Sequence, residues 1–264
     1  MRLVNRIHRK LLKYPQMLLD KRLKIEIPVK NEGRKVFKIY DFGSTTRYRA
    51  SSFDTKEPET VRWISSFGPE DKLLDIGANI GIYSLFAASR GIEVTAIEPD
   101  ALNYALLNLH IRLNDYGNKI IPYLIAAHDS SKFSKFNISS YEWGGALNSF
   151  DNNLDAWGKS YQPVHSQGVY GISLDEFLPK IEFSPTHIKI DVDGNENIIL
   201  KGALQTLQSN HMRSLLIELD ETRSDYSESI EMIEMCGLSL QEKTNSPAFN
   251  TGRSSTIFNH IYVK

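Results

Sequence analysis

The 264-residue sequence contains one cysteine, Cys236, so it forms no internal disulfide and no cysteine-rich zinc or iron–sulfur site. It has no apolar run near the roughly 18 residues that span a bilayer. Its first residues lack the apolar core of a secretory signal, so a soluble, cytoplasmic protein is expected. It also lacks a charge excess: 31 Lys and Arg face 32 Asp and Glu, for a net charge of −1. Nothing global therefore points to nucleic acid as a partner, which would show as a basic domain or face. There is no internal repeat and no low-complexity tract. With 41% hydrophobic and 24% charged residues, the chain reads as globular rather than disordered.

One segment departs from the charge balance. Residues 1–24 hold eight basic residues and a single acid, Asp20, which leaves the rest of the chain at −8. Leu3, Val4, Ile7, Leu11 and Tyr14 recur at helical spacing until Pro15. Such a helix over residues 1–14 can touch an anionic membrane surface weakly, or dock on the body with its basic face in water.

Residues 23–29 and 35–42 alternate in part and flank Lys30-Asn31-Glu32-Gly33, which predicts a β-hairpin. Residues 57–67 predict a short helix with Pro58 in its first turn. Strand–helix alternation begins at Lys72. Strands are predicted at Lys72–Ile76, Glu93–Glu98, Ile120–Ala127, His187–Asp193, Ser214–Asp220 and Ile257–Val263. Helices are predicted at Ile82–Ser89, from Pro99-Asp100 onward, and at Leu174–Leu178, Glu196–Ser209 and Asp225–Met235. In the helix after Pro99, the face Leu102, Ala105, Leu106, Leu109 and Leu113 should be the buried one. Residues 128–171 break the rhythm, either as an insertion carrying substrate contacts or as a surface excursion with a small local sheet. The pattern predicts a doubly wound α/β domain over 53–264, with a mostly parallel sheet, after an N-terminal extension over 1–52. Its ligand belongs outside the carboxyl ends of the strands, where strand order reverses.

The first core strand runs into Asp75-Ile76-Gly77-Ala78-Asn79-Ile80-Gly81, and Glu98 ends the second strand 17 residues after Gly81. Glycines let the backbone turn sharply and approach a ligand, and an acid at the second strand end can accept both ribose hydroxyls. A dinucleotide fingerprint, G-x-G-x-x-G, would need glycines where Asn79 and Ile82 stand. Asp75 would also repel a pyrophosphate, whereas it suits a ligand with an amino group and a cationic sulfur. That favours S-adenosylmethionine over NAD.

The loop D-I-G-A-N-I-G-I-Y-S-L at 75–85 resembles the class I S-adenosylmethionine methyltransferases, specifically the FkbM family. Further matching stretches are Lys56-Glu57-Pro58-Glu59-Thr60, Ala96-Ile97-Glu98-Pro99-Asp100 with Asn103, His187–Gly194 followed by Glu196, and Leu216-Ile217-Glu218-Leu219. The family commonly shows D-V-E-G where this chain has Asp193 in place of the Glu. The resemblance covers about residues 53–220. It implies a seven-stranded Rossmann-like fold and an O-methyltransferase acting on a hydroxyl of a sugar, glycan or secondary metabolite. It also implies that Gly77, Ala78, Asn79 and Gly81 cradle the methionine moiety, with Asp75 at the head of the loop. Glu98, with Pro99 beside it, would bind the ribose, Ala127–Asp129 would border the adenine, and Glu57 would reach the amino group. Asn103 and Asn108 read as polar groups on a helix surface.

In His187-Ile188-Lys189-Ile190-Asp191-Val192-Asp193-Gly194, charged residues alternate with apolar ones in a strand that should be central. Lys and Asp rarely enter a buried sheet unless paired or functional. Asp191 is the first candidate for the base that takes the acceptor's proton and Asp193 the second. A Lys189–Asp191 ion pair is the structural alternative. His187 sits at the far end of the strand and reads as structural, and His128 belongs near the adenine region. Asp191, Asp193 and Glu218 could gather oxygens suited to magnesium, but carboxylate spacing alone assigns no metal. Tyr141, Trp143, Trp157, Tyr161 and Tyr170 in the insertion can stack on a sugar ring or pack onto the sheet. An NAD-dependent oxidoreductase or epimerase is the first alternative, disfavoured by the missing glycines and the lack of a Tyr-x-x-x-Lys pair. A non-catalytic scaffold is the second, with no need for ionisable residues at 189–193.

Overall fold

The computed structural model describes residues 24–28, 35–245 and 255–264. The basic helix expected within residues 1–14 and the turn expected at 30–33 lie outside them. The hairpin strands are β1 (Lys24–Pro28) and β2 (Lys35–Tyr40), paired antiparallel. Three short helices follow, α1 (Ser44–Ser51), α2 (Phe53–Lys56) and α3 (Pro58–Ser65). The first two have no counterpart in the sequence reading. α1 buries only Thr46 and Ala50, so it carries no apolar stripe to detect.

The alternation then runs β3 (Lys72–Ile76), α4 (Ile82–Ser89), β4 (Glu93–Ile97), α5 (Ala101–Leu113) and β5 (Ile120–Tyr123). The strand expected over Ile120–Ala127 divides there. Its second part, β6 (Ala126–Ala127), leaves the main sheet and joins β7 (Lys132–Ile138), β8 (Ser149–Phe150) and β9 (His165–Ile172) in a separate four-stranded sheet. The insertion thus contains the small local sheet and, as shown below, also reaches the site. After it come α6 (Leu174–Lys180), β10 (His187–Ile190), α7 (Glu196–Lys201), α8 (Leu204–Gln208), β11 (Ser214–Asp220), α9 (Tyr226–Met235), β12 (Ser239–Thr244) and β13 (Ile257–Val263). The single helix expected at Glu196–Ser209 is two, broken at Gly202-Ala203, because the chain there presses on the insertion: a Cβ at Gly202 would lie 2.2 Å from the His128 carbonyl oxygen. β12 escaped the sequence reading because its side chains are mostly exposed and do not alternate.

The main sheet has seven strands in the order β12-β13-β11-β10-β3-β4-β5. Strands β11, β10, β3, β4 and β5 are parallel, and β13 runs antiparallel to β11 and β12. β3 and β10 bury nearly every residue, as strands covered on both faces must. One apolar core joins β2, α3, α4 and α5 on one face, and a second joins α6, α7, α8 and α9 on the other. From β3 the chain steps outward to β4 and β5, then returns to the other side of β3 with β10 and β11. The reversal lies between β3 and β10, so their carboxyl ends form the ligand-binding crevice. Among the described residues no helix is long and apolar enough to cross a membrane.

Helix α5 buries a different face from the one expected. Asn103, Leu106, Leu107, His110 and Ile111 are buried, whereas Leu109 is 40% exposed. Two polar residues turn the helix, because each satisfies backbone groups that apolar side chains could not. His110 Nε2 accepts the Tyr40 N–H at 2.9 Å, and Nδ1 lies 2.8 Å from the Ile80 carbonyl oxygen. Only the neutral ring with its proton on Nδ1 satisfies both.

Burial pushes His110 from 6.5 down to about 4. Since the folded value is depressed, the unfolded chain takes the proton first. The stabilisation is complete above pH 6.5 and is lost as pH falls from there to 4, on the order of 3 kcal/mol. In urea denaturation, the stability difference between wild type and His110→Gln should shrink by about that amount between pH 7 and pH 4. A constant difference would show that the fold accommodates the protonated ring.

Candidate active site

A cavity of about 310 Å³ opens at the carboxyl ends of β3, β4, β10 and β11. Ile76 and Gly77 reach it from β3, Glu98 and Pro99 from β4, Asp191 and Asp193 from the turn after β10, and Glu218 from β11. Gly145–Asn148 and Trp157 of the insertion roof it. A smaller cavity of about 50 Å³ adjoins it and shares Arg49, Lys56, Gly77, Asn79 and Asp191.

The turn after β3 is shaped by crowding. Gly77 has φ +78, and a Cβ there would sit 1.9 Å from the Asp191 carbonyl oxygen, so only glycine lets β3 and β10 end side by side. Asn79 is also left-handed, at φ 53. Its N–H donates to Glu98 Oε2 at 2.7 Å, and the Asp100 N–H donates to Glu98 Oε1 at 2.8 Å. These donors favour the carboxylate, but burial outweighs them and raises Glu98 to about 8.

Of the residues predicted to bind a cofactor, Gly77, Asn79, Glu98, Pro99 and Ala127 line the larger cavity. Glu57, Asp75 and Ala78 line the smaller one. Gly81 and Asp129 line neither. Gly81 caps α4 in the left-handed conformation and packs against Leu107. Asp129 faces solvent because the chain leaves the sheet after Ala127; its Oδ1 accepts Ser130 Oγ–H and lies 2.7 Å from Nδ1 of the buried His128. His187 is remote from the site, as expected, bonded to Ser214 and stacked on Phe67 at 3.8 Å between ring centroids.

The floor is a buried charge cluster. Lys189 is 1% exposed, sits in register with Asp75 on the neighbouring strand, and donates to Asp191 Oδ2 at 2.6 Å. Its ammonium lies 5.2 Å from the centre of the Tyr83 ring. Burial opposes the Lys189 charge, but Asp191, Asp75 and Glu57 outweigh it and hold the ammonium above its ordinary value. Likewise burial opposes charge on Asp191, but Lys189 and Lys56 hold the carboxyl below the usual range. Burial, with Asp191 and Glu57 nearby, pushes Glu218 well above it. Asp75 is fully buried; Oδ2 takes the Ser84 hydroxyl at 2.5 Å and Oδ1 has no hydrogen-bond partner. Among the described residues no group of acidic, histidine or cysteine side chains gathers to hold a metal ion.

The roof is tied to the floor by polar side chains that the sequence reading missed or placed elsewhere. Asn103, expected on the helix surface, is buried; its Oδ1 accepts the Gly144 N–H and its Nδ2 donates to the Gly145 carbonyl. Asn79 Nδ2 donates to that same carbonyl at 2.7 Å, and Arg49 Nε to the Gly144 carbonyl at 2.8 Å. Asp193, the second candidate base, accepts the Leu147 N–H at 2.7 Å, which makes it a tether of the roof. Asn108 does lie on the helix surface, bonded to the Tyr104 carbonyl. Of the five aromatic residues of the insertion, Trp157 lines the cavity; Trp143 packs on Phe42, Tyr170 on Phe133, Tyr161 bonds the insertion's own backbone, and Tyr141 is exposed. Arg49 has no counterpart among the expected site residues, and Lys56 is expected only as part of the stretch Lys56–Thr60, because cations in short helices without an apolar stripe give no periodic signal.

The FkbM methyltransferase domain model matches residues 75–240, a stretch running from the end of β3 through β11 and α9. The chain belongs to the FkbM methyltransferase family. This membership takes away the ground of the dinucleotide reading. A solved FkbM methyltransferase from Methylobacillus flagellatus KT is similar with a TM-score of 0.51 at 17% identity, over 83% of this chain and 52% of that one. A tRNA m1G37 methyltransferase from M. jannaschii is similar with a TM-score of 0.47 at 12% identity, over 86% of this chain and 54% of that one. At 17% identity the likeness to the first of these is one of fold alone. The chain spans about half the length of these two solved proteins. No curated protein matches the sequence.

Asp193→Asn keeps a residue that tolerates φ 61 but replaces the carboxyl that accepts the Leu147 N–H with an amide. It should speed amide hydrogen exchange at Leu147 and its neighbours while exchange in β3 and β10 stays unchanged. Unaltered exchange at Leu147 would show that the other tethers alone hold the roof.

Proposed function

We propose that the chain is an S-adenosylmethionine-dependent O-methyltransferase whose acceptor is a hydroxyl of a sugar, glycan or other small molecule. The observation that carries this reading is the Asp191 carboxyl, bonded to Lys189 at the reversal point of the sheet and lining both cavities. The residues present suit the cofactor. Glu98 lines the larger cavity where a ribose diol can donate to it, and Ala127 and Phe150 supply apolar wall for an adenine. The carboxylates of the floor favour a cationic sulfur.

When bound, S-adenosylmethionine supplies a methyl carbon on a cationic sulfur, from which the acceptor oxygen displaces a neutral thioether. Asp191 receives the hydroxyl proton. A carboxylate held below its usual range is a weak base, so it takes that proton late, once the forming O–C bond has made it acidic. Lys189 holds Asp191 Oδ2 in place, which serves the positioning on which displacement at carbon depends. The roof of Gly145–Asn148 and Trp157 excludes water, and Trp157 offers an aromatic face to a sugar ring.

Asp191→Asn should lower methyl transfer by about 100-fold or more, with calorimetric affinity for S-adenosylhomocysteine little changed; near-normal turnover would leave the residue a purely structural ion-pair partner. Glu98→Gln tests the ribose contact. With Glu98 at about 8, the carboxylate that accepts the diol grows from pH 7 to 9, so wild-type affinity for S-adenosylhomocysteine should tighten over that range. In Glu98→Gln that pH dependence should vanish, and at pH 9 binding should be weaker by about tenfold. Equal affinity of the two proteins at every pH would remove Glu98 from the binding site.

A further inference from the structure

Arg49 stands in the last turn of α1 and lines both cavities. Two other cations line the smaller one, and each is paired: Lys56 with Glu57 at 2.7 Å and Lys189 with Asp191 at 2.6 Å. Six acidic side chains (Glu57, Asp75, Glu98, Asp191, Asp193 and Glu218) line the two cavities. Among the described residues Arg49 pairs with none of them, and its one hydrogen bond runs from Nε to the Gly144 carbonyl. That bond anchors the guanidinium against the roof through the nitrogen nearest the stem. The two terminal nitrogens are left as a planar fork of donors, the geometry that matches a carboxylate.

The position of this fork indicates which carboxylate. Glu98, Pro99 and Ala127 line only the larger cavity, so the ribose and adenine side lies there. The smaller cavity adjoins it at Gly77 and Asn79 and is bounded by Glu57, Asp75 and Tyr83. It combines an uncommitted cation with carboxylates, the complement of a group that carries both a carboxylate and an ammonium. We infer that Arg49 binds the α-carboxylate of the methionine moiety of S-adenosylmethionine, an inference that rests on the cofactor reading above. Arg49 also holds the Gly144 carbonyl through Nε, so one side chain touches both the roof and the proposed carboxylate position.

S-Adenosylmethionine and its decarboxylated form differ only in that carboxylate, so calorimetric titration of both isolates the contact. Arg49→Gln can still donate toward Gly144 but lacks the charged fork. It should weaken binding of S-adenosylmethionine by about ten- to a hundred-fold and leave the affinity for the decarboxylated form unchanged. Arg49→Lys, which keeps the charge without the fork, should recover part of the loss. Equal weakening of both ligands would overturn the inference and make Arg49 a roof tether. Unchanged affinity for S-adenosylmethionine in Arg49→Gln would overturn it as well. A folded wild type that binds neither ligand overturns the cofactor reading itself, and this inference with it.

Discussion

A single buried ammonium organises the site. Lys189 lies in the central strand of a sheet covered on both faces, where an isolated charge costs several kcal/mol. The chain offsets this with Asp191 at the strand end, Asp75 across the ladder and the face of Tyr83. Each partner constrains something else. Asp191 must stand where its oxygen reaches the ammonium, which brings its carbonyl against the next turn and leaves room there only for Gly77. Asp75 must face the same side of the sheet, which places a carboxylate behind the loop rather than an apolar residue. The loop's shape follows from the charge beneath it.

The same cluster separates two carboxyl groups that share a cavity. Lys189 and Lys56 hold Asp191 below the usual carboxylate range, while desolvation and that nearby negative charge push Glu218 well above it. Pairs of acids whose surroundings drive them apart can divide the work of accepting and retaining protons. Here the difference follows from the partners: Asp191 bonds directly to Lys189, whereas desolvation and neighbouring carboxylates act most strongly on Glu218.

The roof is built on a different principle. The main sheet is held by apolar burial on both faces, whereas the Gly144–Asn148 loop is held by hydrogen bonds from Asn79, Arg49, Asn103 and Asp193. Each such bond contributes about 1 kcal/mol net, more where a charge takes part. A segment held this way can open without disturbing the core, as a ligand-binding element requires. Every tether is also a residue at the edge of the cavity, so opening of the roof and occupancy of the site act on the same side chains.

Much of this was legible in the sequence because parallel strands buried on both faces leave a strong apolar signature. β3, β11 and β13 lie at their expected positions, and Gly77, Asn79, Glu98 and Asp191, all at strand ends, line one cavity. The misreadings fall where long-range polar contacts overrode local pattern. Leu102 and Leu109 promised the buried face of α5, but Asn103 and His110 turned it toward the backbone groups they satisfy. Ile120–Ala127 reads as one strand, yet its last residues pair with β9. Arg49 and the roof loop gave no periodic signal at all. The layered α/β fold and the strand ends that carry the acids can be read along the chain, since hydrophobic period and turn residues act over a few positions. Which acids are pushed up or down, which of them holds the roof and which cavity cation forms no ion pair among the described residues emerge only in three dimensions, since charge and tethers depend on neighbours distant in the chain.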